Sequence, residues 1–272
     1  MKLPASKFNR CYALMAQGFR FVMQERIYNE QDISCALRNC GIADYEIILA
    51  HSSLKSFGRV DGGAQTVVSA LLGMKNTVLL PAFTGKITDS KYCPPIMNVV
   101  LSPTWTGAIP ETARKFPGAI RSLHPTHSLT GFGCRAEELL NGHESTQSPC
   151  DKNSPFYKLA ENDGRIILFG CDHNSNTMVH CCEEISGVHY HLQSDFTDGV
   201  VETATGQVVV TNRLHNWQKP PTDFNKIEQL LVAANAINFA KVGDSCVRII
   251  SARKLFDTLC DKLLADASFL LI

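Results

Sequence analysis

The chain of 272 residues lacks several of the features that assign a sequence to a class of protein directly. Its 26 basic and 26 acidic side chains cancel, so the overall field does not favour nucleic acid as a partner. No uninterrupted apolar run reaches the roughly 20 residues of a membrane-spanning helix. Neither an internal repeat nor a low-complexity stretch occurs. We therefore expect a globular protein with no nucleic-acid partner and no contact with a membrane.

The 11 cysteines and the N-terminus indicate the compartment. The cysteines are odd in number and irregularly spaced, which argues against a disulfide framework. No Cys-x-x-Cys pair exists, so a structural zinc ribbon is not expected. The N-terminal segment, MKLPASKFNRCYALMAQGF, lacks an apolar core followed by a small-residue cleavage site, which makes it a poor secretory signal. These features predict a cytoplasmic protein with reduced, mostly buried thiols.

Apolar periodicity predicts how the chain is organised. An apolar fraction of 44% and this length suit one domain, predicted over residues 28–272 after an N-terminal extension of residues 1–27. A capping box from Asn29 to Asp32 starts a predicted helix that ends near Gly41. Further helices are predicted at residues 64–72, 110–115, 176–185, 223–240 and 252–264.

Short apolar runs alternate with these helices. The predicted strands are residues 45–50, 77–80 and 165–169, with a hairpin at 200–201 and 207–211. Residues 85–105 are predicted to form a long loop. The order strand, loop, helix, strand predicts an α/β fold with a partly parallel sheet. Ligands bind outside the carboxyl ends of such strands, which directs attention to residues 51–53 and 82–84.

One polar segment, residues 176–184, falls on a predicted helix, so the relative positions of its side chains can be inferred from their spacing. Residues three and four apart share a helical face, so His180 is expected beside both Glu183 and Glu184. A carboxylate next to an imidazole fixes its tautomer and makes it a stronger base. A histidine with an acid three residues on also occurs on ordinary solvated helices, so a structural role stays open.

Two further pairs of histidines give weaker indications. His124 and His127 flank a proline, and no third ligand at a suitable spacing accompanies them, so they do not predict a metal site. His189 and His191 alternate as on a strand, which predicts both rings on one side, most simply in a structural role.

Two other motifs have competing interpretations. Cys181 or Cys182 would suit a nucleophile with a neighbouring histidine as its base, although at least one of the two is expected in the core. The glycine-bearing turn GRVDGG, residues 58–63, precedes a helix and fits either a phosphate cradle or a tight turn.

Taken in order, these segments resemble the aminoglycoside 3-N-acetyltransferase family, also called the antibiotic N-acetyltransferase family. The similarity runs from about residue 30 to the end of the chain. The matching blocks are HSSLKSFGRVDGGAQTVVSALL at 51–72, LLPAFT at 79–84, TGAIPETARKFPGAIRSLHPTHSLTGFG at 106–133, SPFYKLAENDGRIILFG at 154–170, NTMVHCCEE at 176–184 and VGDSCVRIISARKLFD at 242–257.

The resemblance implies a fold and a reaction. The fold is the family's own α/β arrangement, a single mixed sheet flanked by helices, and not the GCN5-type acetyltransferase fold. The reaction is transfer of an acetyl group from acetyl-CoA to a small cationic amine, typically the 3-amino group of a 2-deoxystreptamine antibiotic. No metal is expected, and a homodimer stays an open alternative for the assembly.

The resemblance also suggests roles for individual residues. His180, oriented by Glu183, is the expected base, with His124 as an alternative base or a group that positions the thioester. Ser53, Thr84 and Ser128 are candidate donors to the oxyanion. The residues expected to bind CoA are His51, Ser52, Ser53, Leu54, Gly58, Val60, Thr84, Arg121, Ser122 and Ser128. The residues expected to hold cationic groups of the substrate are Glu111 and Glu184.

Departures from the family pattern keep other functions open. Cys181 and Cys182 occupy the middle of the His-x-x-Glu segment, where small or apolar residues are usual. A divergent acyl-CoA-dependent acyltransferase acting on another amine is one alternative. A cysteine-dependent acyl-transfer enzyme is a second, and a non-catalytic CoA-binding protein is a third.

Overall fold

The computed structural model describes residues 26–84 and 94–272 of the chain. Its helices are α1 (Glu30–Arg38), α2 (Ala64–Leu72), α3 (Ala108–Ala113), α4 (Ala136–Leu140), α5 (Pro155–Glu161), α6 (Met178–Ile185), α7 (Ile227–Ala233) and α8 (Ala252–Ala265). Its strands are β1 (Ile27–Tyr28), β2 (Ile47–Ser52), β3 (Arg59–Val60), β4 (Thr77–Pro81), β5 (Ile96–Asn98), β6 (Ile120–Arg121), β7 (Leu129–Phe132), β8 (Arg165–Phe169), β9 (Leu192–Thr203), β10 (Gly206–His215), β11 (Ile237–Val242) and β12 (Ser245–Ser251). Within these ranges, no helix has both the length and the apolar character needed to cross a membrane.

A seven-stranded mixed sheet forms the centre of the fold, with the strand order β11-β12-β8-β2-β4-β7-β6. The central strand β2 pairs in parallel with β8 and β4, and the outer pairs are antiparallel. Successive residues of β2 point to opposite faces, so Leu49 belongs to one apolar core and Ala50 to the other. Burial on both faces explains why this strand is a continuous apolar run in the sequence.

Helices cover both faces of this sheet. On one face, Ile33 of α1 and Val67 of α2 are buried in the same core. On the other, Val179 of α6 and Leu255 of α8 are buried together. The predicted fold, a mixed sheet flanked by helices, is therefore confirmed.

Helix α1 begins at the predicted capping box. The Asp32 N–H donates to Asn29 Oδ1 at 3.0 Å, and the Asn29 N–H donates to the Asp32 carboxylate at 3.1 Å. These bonds satisfy two donors that the start of a helix otherwise leaves free. The helices predicted at 64–72 and 252–264 and the strand at 165–169 are also confirmed. Most of the predicted N-terminal extension, residues 1–25, lies outside the described residues.

A smaller sheet lies apart from the central one, with the order β10-β9-β5. The β9–β10 hairpin is much longer than predicted, because residues 192–199, far from its turn, are mostly polar and show neither an apolar run nor an alternation. Met97, Val201 and Val210 form its own small core. Strand β5 falls within the predicted loop 85–105, of which residues 85–93 lie outside the described residues.

The helix predicted over residues 223–240 is wrong in its second half. Helix α7 ends at Ala233, and Asn235 has a positive φ of 48°. The chain then forms β11, which pairs with β12 across a turn at Gly243 and Asp244. The alanine-rich sequence favours a helix locally, but the hydrogen bonds to β12 outweigh that preference.

Gly170 follows β8 in a backbone conformation that other residues adopt with strain. Its φ is +61°, and a Cβ at this position would overlap the Ser56 side chain. We expect Gly170→Ala to lower the free energy of unfolding by about 2–5 kcal/mol, because the left-handed backbone and the overlap add. Gly187→Ala is the matched control, since Gly187 has a φ of +68° but open space around it. Urea unfolding should show a loss of only about 1–2 kcal/mol for the control, and equal losses would contradict the packing argument.

Candidate active site

A cavity of about 390 Å³ lies at the carboxyl ends of three central strands. His51 and Ser52 line it from the end of β2, Phe83 from the segment after β4, and Asn176 from the loop after β8. A further part of the wall comes from His215 at the end of β10 and from Asn216, Trp217 and Lys219 just after it. The cavity is at the edge of the sheet where the order of the strands predicts a ligand.

Four buried polar atoms around the cavity have no hydrogen-bond partner within residues 26–84 and 94–272. They are His51 Nε2, Ser52 Oγ, Asn176 Nδ2 and His191 Nε2. Buried polar atoms are almost always paired in folded proteins, so unpaired ones at a cavity are normally completed by a ligand or by water. Burial lowers the pKa of His51 to about 3, so this ring is neutral at pH 7. These unpaired atoms make the cavity the candidate active site.

His180 is held against Glu183 at the cavity. Its Nδ1 lies 2.7 Å from Glu183 Oε2, one helical turn further along α6. The ring stacks on His191 with centroids 4.7 Å apart and meets the Phe224 ring edge-on at 5.2 Å. Its side chain is 23% exposed, and Nε2 has no hydrogen bond to the part of the chain that the structure describes. An oriented imidazole with one nitrogen free suits a general base.

Glu183 is a fully buried carboxylate with three partners. Besides His180, it has His191 Nδ1 3.1 Å from Oε2 and Lys219 Nζ 3.5 Å from Oε1. A buried carboxylate needs such partners because its removal from water is unfavourable. Burial lowers the pKa of Lys219, and the contact with Glu183 opposes that shift. The cluster fixes the orientation of both imidazole rings.

No local pattern in the sequence links His191, His215 and Lys219 to this site. His191 precedes β9, and the other two lie at or just after the end of β10, so the hairpin brings all three towards α6. The prediction that His189 and His191 face the same side of a strand is wrong. Both lie in a turn, where His189 is exposed and His191 is buried.

Glu184 makes its hydrogen bonds away from His180. Its Oε2 accepts from the Ser148 hydroxyl at 2.6 Å and from the Cys150 N–H at 2.9 Å, and its Oε1 lies 2.7 Å from His215 Nε2. Burial raises the pKa of Glu184 to about 8 and lowers the pKa of His215 well below its ordinary value. At neutral pH the contact therefore joins a neutral acid to a neutral imidazole, so Glu184 offers no charge to a cationic group.

The raised pKa of Glu184 predicts a pH-dependent stability. Protonated Glu184 stabilises the fold fully below its ordinary pKa of 4.5, and this contribution is lost as the pH rises towards 8. Glu184→Gln mimics the neutral acid and should remove a decline of up to about 1.4 kcal/mol per pH unit over that window. Urea unfolding between pH 5 and about 8 measures the slope. Glu161→Gln, an exposed carboxylate at the end of α5, should leave the slope unchanged.

His124, the alternative base, is fully buried and does not line the cavity. Its Nδ1 accepts from the N–H groups of Thr126 and His127 at 3.2 and 3.0 Å, and its Nε2 lies 2.5 Å from Asn212 Nδ2. Burial, with His143 and His127 close by, lowers the pKa of His124 well below its ordinary value. Both of its nitrogens are thus used within the protein, and His127 lines the cavity in its place.

Four of the polar residues expected to bind CoA are used in the protein's own hydrogen bonds. The buried Arg121 guanidinium donates to three backbone carbonyls and to Ser128 Oγ. The hydroxyls of Thr84 and Ser128 each donate to a backbone carbonyl at 2.7 Å. Ser122 Oγ lies 2.9 Å from His143 Nδ1. None of the four lines the cavity.

The remaining expected CoA-binding residues beyond β2 lie outside the cavity lining. The Ser53 N–H donates to the Phe169 carbonyl at 2.9 Å, and Leu54 packs against the core under α1 and α2. Gly58 and Val60 lie in the segment that leads to α2, where Gly58 is tightly packed against Asp244. None of the residues of the turn at 58–63 lines the cavity.

Glu111, expected to hold the substrate, forms ion pairs with two cations just beyond the end of its own helix α3. Its carboxylate lies 2.6 Å from Arg114 Nε and 2.7 Å from Lys115 Nζ. The hydrogen bond from Arg114 and the other contacts hold the pKa of Glu111 at about 2. Its negative charge is thus largely compensated within the protein.

The adjacent thiols of Cys181 and Cys182 are both fully buried in the core. Burial raises the pKa of each well above its ordinary value, so neither forms a thiolate readily. All nine cysteines of the described residues are free thiols, and three of them, Cys35, Cys134 and Cys246, are exposed. The prediction of mostly buried thiols therefore holds for part of this set only.

An imidazole held by a buried carboxylate beside a cavity defines a site for general-base chemistry. The family model of aminoglycoside 3-N-acetyltransferase matches residues 49–263, and the chain belongs to this family. The resemblance read from the sequence is therefore confirmed.

Two curated relatives illustrate the similarity. The SPbeta prophage-derived aminoglycoside N(3')-acetyltransferase-like protein YokD of Bacillus subtilis (strain 168) is 30% identical over 249 residues, which cover 84% of this chain and 89% of YokD. Aminoglycoside N(3)-acetyltransferase IX of Micromonospora chalcea is 27% identical over 173 residues. That match covers 56% of this chain and 60% of the relative, which is less than two thirds of its length.

Solved structures share the fold. Aminoglycoside acetyltransferase AAC(3)-Xa superimposes with a TM-score of 0.77 at 23% identity, over 90% of this chain and 94% of that chain. The structure described as AAC-IIIb binary with CoASH superimposes with a TM-score of 0.75 at 20% identity, over 88% and 97% of the two chains.

Proposed function

We propose that the protein transfers an acetyl group from acetyl-CoA to an amine, with the 3-amino group of a 2-deoxystreptamine-type aminoglycoside as the expected acceptor. The observation that carries the proposal is the His180–Glu183 pair beside a cavity with unpaired buried polar atoms. Membership of an acetyltransferase family agrees with it, as does the CoASH complex of a protein with the same fold.

The pair supplies what the reaction requires. An ammonium group has no lone pair, so the amine first loses one proton to solvent, and a base must take up a second proton as the neutral nitrogen attacks the thioester carbonyl. Because His180 Nδ1 is bonded to Glu183, its Nε2 is the nitrogen available to accept that proton. The C–N bond forms, the C–S bond breaks, and the proton can pass from His180 to the departing sulfur. The Glu183 carboxylate stabilises the imidazolium formed in between.

Ser52 is the best placed hydroxyl for the developing oxyanion. Thr84 and Ser128, two of the expected donors, already give their hydrogens to backbone carbonyls. The Ser52 hydroxyl lines the cavity and has no partner in the part of the chain that the structure describes. We therefore propose that Ser52 donates to the oxyanion and that the acyl end of CoA lies near His51 and Ser52.

One observation favours a second candidate acceptor. Among the described residues that line the cavity, Lys219 is a cation and none is a carboxylate. A polycationic aminoglycoside gains from carboxylates near its amino groups, and the two acids expected for that role, Glu111 and Glu184, do not supply them. An amine that carries less positive charge is therefore the alternative acceptor.

A panel of amines tests both versions. The enzyme is mixed with acetyl-CoA and, separately, with aminoglycosides and simple monoamines, and acetylated product is detected by its mass. Product from any amine supports acetyl transfer, and the preferred class identifies the acceptor. Acetyl-CoA binding without product from any amine would contradict the proposal and favour a non-catalytic CoA-binding protein.

A further inference from the structure

Three imidazole rings converge at the cavity. One nitrogen from each of His180, His191 and His215 lies within 4.8 Å of the other two. The ring centroids of the three pairs are 4.2 to 4.7 Å apart. The nitrogens around a tetrahedral zinc ion are about 3.3 Å apart, since each Zn–N bond is about 2.0–2.1 Å. The His180 and His191 rings are stacked with 22° between their planes, so at least one of them must turn for both nitrogens to point at one ion.

A second observation points to a ligand between these rings. His191 is completely buried, yet its Nε2 has no hydrogen-bond partner among the described residues. An unpaired buried nitrogen is unfavourable, and a bound cation would complete it. The same ring lines the cavity, so the nitrogen is within reach of an entering ion.

A carboxylate contacts one nitrogen of each ring. Glu183 contacts Nδ1 of His180 and His191, and Glu184 contacts Nε2 of His215. These contacts leave Nε2 of His180, Nε2 of His191 and Nδ1 of His215 without a hydrogen bond within the described ranges and available to a metal, with Glu184 Oε1 3.8 Å from His191 Nε2. A carboxylate on the far nitrogen of a ligating histidine orients the ring and raises its basicity.

We propose that His180, His191 and His215 bind Zn²⁺ at the cavity, and that the ion inhibits acetyl transfer by occupying the nitrogen of the base. Three imidazoles with a fourth position open to the cavity are a donor set that zinc favours. The inhibitory part rests on the proposed function, whereas the binding part does not.

Co²⁺ is the spectroscopic probe for the binding part. Wild-type protein with one equivalent of Co²⁺ should show visible d–d bands of a tetrahedral nitrogen site without a thiolate-to-cobalt charge-transfer band. A charge-transfer band would place the ion on cysteines, such as Cys150 or the exposed thiols, and would overturn the proposal. Absence of both features would overturn it as well.

Variants assign the ligands. Competition with a chromophoric chelator measures the affinity for Zn²⁺. The affinity should fall by at least roughly 10- to 100-fold in His191→Gln and His215→Gln, because loss of a ligand costs at least as much as loss of a residue that only hydrogen-bonds to a ligand. His189→Gln is the matched control, because this neighbouring histidine is exposed and outside the cluster. Its affinity should equal that of the wild type, and unchanged affinity in the two cluster variants would contradict the site. Thermal unfolding confirms that each variant is folded. The cobalt spectrum is recorded on the wild type, so it tests the site even if a variant fails to fold.

Inhibition is measured on the wild type, and the acetylated product is detected by its mass. An assay that detects the released CoA thiol is unsuitable, because that thiol itself binds zinc. Added Zn²⁺ should suppress product formation, and a chelator should restore it. Zinc bound at the three histidines without loss of rate would overturn the inhibitory part. If no amine is acetylated under any condition, the proposed function fails, while the cobalt and chelator measurements still decide the metal site.

Discussion

His180→Ala should lower kcat for acetyl transfer by about 10²- to 10⁴-fold, the usual contribution of a positioned base. The effect is expected in kcat because the proton is removed only as the amine attacks. Acetyl-CoA binding should be largely retained, since His180 is one of many residues that line the cavity and belongs to neither apolar core. Steady-state kinetics measures the loss of kcat, and a separate CoA binding measurement shows whether binding is retained.

His189→Ala is the control for this experiment. It removes an exposed imidazole nine residues further along the chain and should leave kcat unchanged. Turnover of His180→Ala close to that of the wild type would remove His180 as the base and leave His127, which also lines the cavity, as the next imidazole to test.

Glu183→Gln should lower kcat by a comparable factor, of the order of 10²- to 10⁴-fold, although the side chain keeps its size. The amide carries no charge to stabilise the imidazolium of His180, and its N–H₂ group can hold the ring in the wrong tautomer. The variant also deprives Lys219 of its buried counter-charge, so some loss of stability should accompany the loss of rate.

Glu184→Gln is the control for this change, because the neighbouring side chain is also buried but contacts His215 instead of His180. It should retain most of its activity, since a neutral amide replaces a carboxyl group that is itself mostly neutral at pH 7. Equal losses in the two variants would mean that the rate depends on buried carboxylates in general and not on orientation of the base.

Local sequence patterns predicted the elements whose stability is decided locally. The capping box at Asn29 and the continuous apolar strand at β8 needed no knowledge of distant residues. Strands β11 and β12 were missed because their hydrogen bonds are made to each other and to β8, and an alanine-rich segment next to α7 favours a helix until those bonds form. Residues 192–199 of β9 were missed because they are mostly polar and half of them are exposed, so they show no apolar strand pattern.

The same distinction holds for the site. The contact between His180 and Glu183 follows from their spacing on one helix, so it was predictable. His215 and Lys219 reach the site through the hairpin, and nothing near them in the sequence indicates that they do. Arg121 and Ser128 were expected to bind CoA because they are polar residues in a matching block, but their burial and internal hydrogen bonds could be seen only in the fold.

The exposed thiols of Cys35, Cys134 and Cys246 lie on α1, after β7 and on β12, on separate parts of the surface. Accessible thiols oxidise in air, so protein stored without reductant is expected to accumulate chains joined by disulfides. A covalently linked pair of chains would have the size of a homodimer on a gel-filtration column and would disappear on reduction. The same thiols would react with any thiol-specific reagent used to measure released CoA. The described residues of each chain would therefore add the signal of up to three surface thiols to such an assay.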